Sequence, residues 1–140
     1  MTAEFPLAVH ALVYLNHQNR TLSSEELAEN ICTNPARVRK VMAALKRAGF
    51  VATKEGAQGG YEMKRAASDI TLEDIAHALN SKMVTTSWRS GSLDQDCMIS
   101  SGMAGVMDHI YDELNQSCDR ELRNTTLQDI TQEILDRKKA

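Results

Sequence analysis

The sequence predicts a mainly α-helical fold with one small β-hairpin: a winged helix-turn-helix followed by a long C-terminal dimerisation helix. Three observations carry this. Helix-forming residues dominate, with only two prolines and few aromatics, a balance that favours helix over sheet. A glycine-rich tip at 56–60 separates two short apolar runs, 50–53 and 61–63, in the pattern of a hairpin. The positive charge is also gathered in one place. Residues 33–65 hold eight Lys/Arg against two Asp/Glu, a net of +6, whereas the rest of the chain holds eight basic and seventeen acidic side chains, a net of −9. A chain of net charge −3 that concentrates its cations on one helix and the hairpin behind it is built to address a polyanion.

Each element has its own signal. Residues 5–15 are nearly all apolar between polar flanks, long enough for a buried helix. Ser23 and Glu26 form a capping-box pattern, and Leu27, Ala28 and Ile31 give the short helix that follows its buried face. Asn34-Pro35 is a second start signal, because Asn caps and Pro suits the first helical position. Val38, Val41, Met42 and Leu45 are spaced i, i+3, i+4, i+7 and form the inward stripe of the basic helix. Gly49 ends it, and the strand, tip and returning strand come next. Thr71 starts another short helix, with Ile75, Ala76 and Leu79 inward. Residues 80–101 are rich in Ser, Thr, Gly and Asp and predict a loop or hinge.

Beyond the hinge, Met103, Val106, Met107, Ile110, Tyr111 and Leu114 repeat with helical spacing. A small winged helix has little core left to cover that stripe, so the same helix of a second subunit is its expected partner. A last helix is expected over about 125–135, with Leu127, Ile130, Ile134 and Leu135 together. The chain divides into a DNA-binding domain at 1–80, a hinge at 81–100 and a helical dimerisation arm at 101–140.

Composition excludes several classes. No apolar run approaches the roughly 20 residues that cross a bilayer, and no secretory signal opens the chain. The expected location is cytoplasmic, with the three cysteines reduced at rest. Three cysteines without a C-x-x-C pair argue against structural zinc and thioredoxin-type chemistry. His10, His17, His77 and His109 are scattered and read as helix residues without metal. No cofactor is expected. A thiol enzyme would need a base or resolving thiol beside its cysteine, and no local motif supplies one.

On the basic helix, the inward stripe leaves Ala36, Arg39, Lys40, Ala43 and Arg47 facing outward, with Arg37 at the flank. Small residues at 36 and 43 let the helix approach a groove floor, and arginine forks onto guanine edges or phosphates. Arg37, Arg39 and Lys40 are therefore expected to read bases. Thr33, Asn34, Lys46 and Arg47 are expected on the DNA backbone, where the helix N-terminus also offers free N–H groups. Lys54, Gln58, Gly59 and Gly60 form the wing, whose glycines permit close approach to a minor groove. The alternatives are a solvated basic face or a winged-helix module that binds protein. The second would present a neutral helix with exposed apolar residues, and this helix is strongly basic.

The segments FPLAVHAL, TNPARVRKVMAALKRAGFV, GAQGGY and DITLEDIA resemble the Rrf-two (Rrf2) family of bacterial transcription regulators over roughly the first 80 residues. That resemblance implies a homodimeric winged helix-turn-helix that represses at palindromic operators; many members sense iron–sulfur clusters, nitric oxide or cysteine supply. Cluster-binding members carry three cysteines at six-residue spacing before the dimerisation helix. Here Gly91, Cys97 and Met103 stand at those positions, which leaves one ligand and speaks against a cluster. Glu55 stands where cluster-type members tend to place arginine in the wing, and the TNP opening resembles the branch without a cluster.

Two effectors fit. Cys32 lies just before the recognition helix, whose positive end and Arg37 favour thiolate. Cys97 lies beside Asp94 and Asp96, which push the other way. Oxidation joining Cys32 to Cys97 of the partner subunit would drag the start of the recognition helix, whereas Cys118 is placed at the end of the dimerisation helix. The rival is a small apolar or cationic ligand in the hollow lined by Met83, Trp88, Met107 and Tyr111.

Overall fold

In the computed structural model, which describes residues 2–139, the helices are α1 (Glu4–Gln18), α2 (Ser24–Ile31) and α3 (Pro35–Arg47), then α4 (Leu72–Ala78), α5 (Met98–Arg123) and α6 (Leu127–Lys139). Between α3 and α4 the strands β1 (Val51–Lys54) and β2 (Gly60–Met63) pair antiparallel, with Val51 opposite Met63 and Lys54 opposite Gly60. The terminal residues of the predicted outer segments, 1 and 140, lie outside the described range.

The start signals work as the sequence implies. Ser23 Oγ accepts the Glu26 N–H at 3.1 Å, and the Glu26 carboxylate accepts the Ser23 N–H at 3.3 Å, so two orphan donors of α2 are satisfied. Arg20, hydrogen-bonded to Glu26, is the main reason that this carboxyl is held below its ordinary pKa. Asn34 Oδ1 accepts the Arg37 N–H at 2.9 Å with Pro35 in the first turn of α3. Thr71 and Asp74 make a second capping box at α4.

Packing follows from the stripes. Phe5, Leu7, Ala8, Ala11, Leu12 and Leu15 of α1 are buried, as are Val38, Val41, Met42 and Leu45 of α3. Leu22, Leu27, Phe50, Val51, Ile70 and Ile75 complete the same cluster. The hairpin is moored to the helices by Leu22, whose N–H donates to the Tyr61 carbonyl at 2.9 Å and whose carbonyl accepts the Tyr61 N–H at 2.8 Å. Gly60 makes this approach possible: at φ +149° it sits so close that a Cβ would meet the Leu22 carbonyl.

The C-terminal half departs from expectation in three places. Helix α5 begins at Met98, inside the predicted loop, because residues 98–102 continue the helix that the apolar stripe supports and Ser101 N–H already donates to Cys97 O at 3.0 Å. Cys118 lies in the body of α5, which runs on to Arg123. The last helix starts at Leu127, since Thr126 rather than Thr125 makes the reciprocal bonds with Asp129. That start is also stitched into the N-terminal unit: Leu127 N–H donates to Ile70 O at 3.0 Å, and Leu72 N–H to Thr125 O at 2.9 Å. Leu127 is fully buried in the cluster described above.

The loop over 79–97 is tied to α5 at two points. The Asn115 carboxamide bonds both backbone groups of Val84, and Arg89 grips Asp108 at 2.8 Å. Bidentate Arg123–Glu73 bonds, the shortest 2.7 Å, join the end of α5 to α4.

Because Leu127 fills the winged-helix core from the far end of the chain, Leu127→Ala is expected to lower unfolding free energy by about 2–5 kcal/mol, read as a lower urea midpoint. An unchanged midpoint would show that the helical core is complete without α6.

Candidate nucleic-acid interface

The burial of α3 sets which of its side chains face out. Val38, Val41, Met42 and Leu45 point into the core, and Ala36, Arg37, Arg39, Lys40, Ala43, Lys46 and Arg47 are exposed. Asn34 is exposed and Thr33 half-buried at the helix start. The face expected to meet DNA is thus one continuous basic surface, with two alanines that keep it shallow.

Several of its cations are held by neighbours. Arg37 Nη1 donates to Thr33 Oγ1 at 3.3 Å, so the guanidinium folds over the helix start. Arg39 reaches α2, donating to Ser24 Oγ at 3.3 Å with Glu25 at 3.8 Å. Lys40 pairs with Glu4 of α1 at 3.0 Å. Lys46 donates to Thr53 Oγ1 at 3.0 Å, which links α3 to the first wing strand. In the wing, Lys54 lies 3.7 Å from Glu62. Exposed pairs of this kind are worth about 0–1 kcal/mol each, so they orient the cations without locking them away from a phosphate. Asn34 differs: its carboxamide oxygen is occupied as the cap of α3, and only the amide side remains for a ligand.

Gln58 is exposed at the hairpin tip, and Gly59 and Gly60 are half-buried where the tip folds back. Gly59 N–H donates to Gly56 O at 3.0 Å, which closes the turn. Gly60 is held against Leu22 and serves hairpin mooring, so the exposed part of the hairpin tip is residues 55–58. Glu55 is among these exposed residues.

The two thiols singled out in the sequence have opposite surroundings. Cys32 caps the C-terminal end of α2 in a left-handed conformation, φ 65°, with Sγ 3.8 and 3.9 Å from the carbonyl oxygens of Glu29 and Asn30. It therefore faces the carbonyl end of α2, not the amide end of α3. Cys97 is the N-cap of α5, and the N–H groups of Ser100 and then Ile99 hold its thiol below the ordinary cysteine pKa. The shift runs opposite to the upward push expected from Asp94 and Asp96, toward the amides of the helix start, although Sγ makes no cap hydrogen bond there.

On α5, which has no buried residue, Met103, Val106, Ile110 and Leu114 are exposed, and Met107 and Tyr111 are half-buried. Trp88, Met107 and Tyr111 come together around a cavity of about 320 Å³. Met83, expected beside them, lines a different cavity with His77 and Asp119. A larger apolar groove of about 520 Å³ runs between α1 and α6, lined by Phe5, Val9, Val13, Ile130, Ile134 and others. Nothing in the spacing of α1 announces it, since the groove exists only once α6 has folded back.

Comparison with known proteins agrees with this geometry. The model of the Rrf2 family, described as iron-dependent transcriptional regulator, matches residues 1–133. YwnA of Bacillus subtilis (strain 168), whose name places it among HTH-type transcriptional regulators, is 22% identical over 130 residues, covering 93% of this chain and 96% of its own. A regulator structure from Lactobacillus plantarum superposes with a TM-score of 0.82 at 21% identity, covering 96% of this chain and 91% of that one. IscR of T. potens gives 0.70 at 24% identity, covering 96% and 87%. CymR of B. subtilis, titled its global cysteine regulator, gives 0.69 at 17% identity, covering 95% and 96%. The iron in the family's description raises the question of thiolate ligands. Cys97 and Cys118 are 21 positions apart on one helix axis, about 32 Å at 1.5 Å per residue, and Cys32 lies at the end of α2. These thiols do not fit an iron–sulfur cluster within one chain. With its winged helix, basic third helix and a family match over residues 1–133, the chain belongs to the Rrf2 family of DNA-binding transcriptional regulators.

Proposed function

We propose that this regulator acts as a homodimer that represses transcription from a pseudo-palindromic operator in the cytoplasm. The observation that carries the proposal is the pairing of an outward basic α3 with an α5 whose apolar stripe is only partly covered among the described residues, Met103, Val106, Ile110 and Leu114 staying exposed. Two copies joined along α5 present two reading helices, and symmetry then asks for half-sites about one helical turn, roughly 34 Å, or a multiple apart. The N-terminal half of α5 also exposes Met98 and Ile99, and the apolar groove between α1 and α6 is a surface of matching character for it on the second copy. The unit 1–80 then reads DNA, 81–100 is the hinge, and the arm from 101 makes the dimer before α6 returns.

Within this proposal Arg37, Arg39 and Lys40 read bases, and Thr33, Asn34, Lys46 and Arg47 contact the backbone. Lys54 and Gln58 supply the wing contacts, with Gly59 and Gly60 folding the tip back against Leu22. Control is by thiol oxidation: Cys97, its thiolate favoured by the α5 amides, reacts first with a two-electron oxidant. It then forms a disulfide with Cys32 of the partner subunit, releasing two protons and two electrons in all. A second reading is favoured by the cavity that gathers Trp88, Met107 and Tyr111: a small apolar or cationic effector held at the base of the loop.

Four outcomes are expected. Arg39→Ala should lower discrimination at one base pair by about 1–3 kcal/mol, whereas Lys46→Ala should weaken all sequences alike and reduce the salt slope by about 1; identical effects across operator variants would refute the division of roles. Affinity for duplex DNA should fall steeply with salt, and no binding at low salt would end the DNA reading for this chain. Val106→Glu, at a side chain 58% exposed, should convert dimer to monomer in sedimentation without loss of helicity; a persistent dimer would remove α5 from the interface. In a Cys32→Ser, Cys118→Ser chain, alkylation of Cys97 by iodoacetamide should rise at lower pH than in the same chain unfolded in urea, because a depressed pKa brings thiolate in earlier. Coincident profiles would reject the α5 cap as its cause.

A further inference from the structure

Three side chains brought together where α4 crosses α5 have no part in the DNA reading. We propose that Glu73, His77 and Asp119 bind a divalent first-row transition-metal cation that braces the winged-helix unit against α5. Their ligand atoms lie within 4.8 Å of one another, with His77 Nε2 3.6 Å from Asp119 Oδ2. Glu73 and His77 are four residues apart on one face of α4, the spacing that aims two side chains at one point. Asp119 comes from α5. Ligands about 2.0–2.2 Å from a metal stand about 3–4 Å from each other, so small side-chain movements close the set.

Arg123 shapes this site instead of filling it. Its guanidinium donates to both oxygens of Glu73, at 2.7 to 3.2 Å. A carboxylate has about four lone-pair positions, so Glu73 can hold Arg123 and a cation together, with the arginine orienting the ligand. Lys82 lines the same cavity, so two carboxylates are matched by two cations and the attraction for the ion rests on the imidazole and carboxylate lone pairs rather than on net charge.

A second observation lies beside the first. A cavity of about 300 Å³ opens on His77 and Asp119, with Ser81 and Asn115 in its wall. It has room for the waters that three protein ligands leave to be supplied. Ser81 Oγ itself is buried without a hydrogen-bond partner and does not face that cavity. One imidazole with two carboxylates suits manganese, iron, cobalt or zinc better than magnesium or calcium, and without thiolate it does not select copper(I). The ion would lie where Ile75 and Ala76 anchor α4 in the core, so binding would stiffen the joint between reading unit and arm.

The test is titration of the full chain with Co²⁺, followed by its visible d–d absorption and by thermal melting, with no DNA present. Saturation at one Co²⁺ per chain and a raised melting temperature are expected. His77→Ala and Asp119→Asn should each weaken uptake by at least about tenfold; both residues are surface-accessible, and circular dichroism checks their folding. Cys97→Ser should keep wild-type affinity. So should His109→Ala, whose histidine pairs with Glu113 at 3.1 Å on the same face of α5. No saturable uptake, or uptake that survives His77→Ala and Asp119→Asn but falls with Cys97→Ser or His109→Ala, would overturn the proposal.

Discussion

The close seating of α3 on α1 and α2 is the contact from which the rest of the molecule takes its orientation. Ala8 and Ala11 are fully buried on α1, and small side chains there let Val38, Val41, Met42 and Leu45 come down onto it. Each residue of a helix is rotated by about 100° from the last, so a slip of one position would carry Arg37 or Arg39 into this cluster. Burying an unpaired guanidinium costs several kcal/mol, far more than any single apolar contact returns. The register of α3 is therefore unambiguous, and the basic face is a by-product of how the core is packed. The wing inherits its place from the same contact, through Phe50, Val51 and the Leu22–Tyr61 bridge.

Around that face the acidic residues are not uniformly hostile. Glu4, Glu25 and Glu62 stand beside Lys40, Arg39 and Lys54, and weak exposed pairs of this sort are readily exchanged for phosphate. The larger effect is at long range. A net −9 outside the island repels a polyanion from most of the surface, and the +6 island attracts it. Approach is thereby steered toward one orientation over distances up to a Debye length, about 8 Å at physiological salt.

Much of the first half was legible in the sequence because each signal there is local. The Ser23/Glu26 box, the Asn34-Pro35 start and the Val38–Leu45 spacing all act within two helical turns, and the structure realises each. What was hidden depends on contacts between segments far apart. Leu127 looked like one more apolar residue of a terminal helix, and only its burial against Ile70 shows that α6 belongs to the core. The charged neighbours of Cys97 are local in sequence, whereas the helix-start amides that lower its thiol pKa take their place only once α5 has formed. His77 and Asp119 carry no shared pattern, since nothing in either helix says where the two will cross.

The same distinction bears on α5. An exposed apolar stripe along a helix of about 39 Å favours association, because each large apolar side chain gains about 1.5–3 kcal/mol on full burial. The core offers no further room: α4 already meets the C-terminal part of α5 through Arg123–Glu73, while Met98, Ile99, Met103 and Val106 remain exposed at the other end. An intramolecular solution would need α5 to fold back over its own loop, but the ties of Asn115 to Val84 and of Asp108 to Arg89 hold the loop along one side of the helix. Under the proposed dimer, the cover comes from a second chain. Because the exposed end is the one remote from α4, the proposed partner would cover it without touching the core that orients α3.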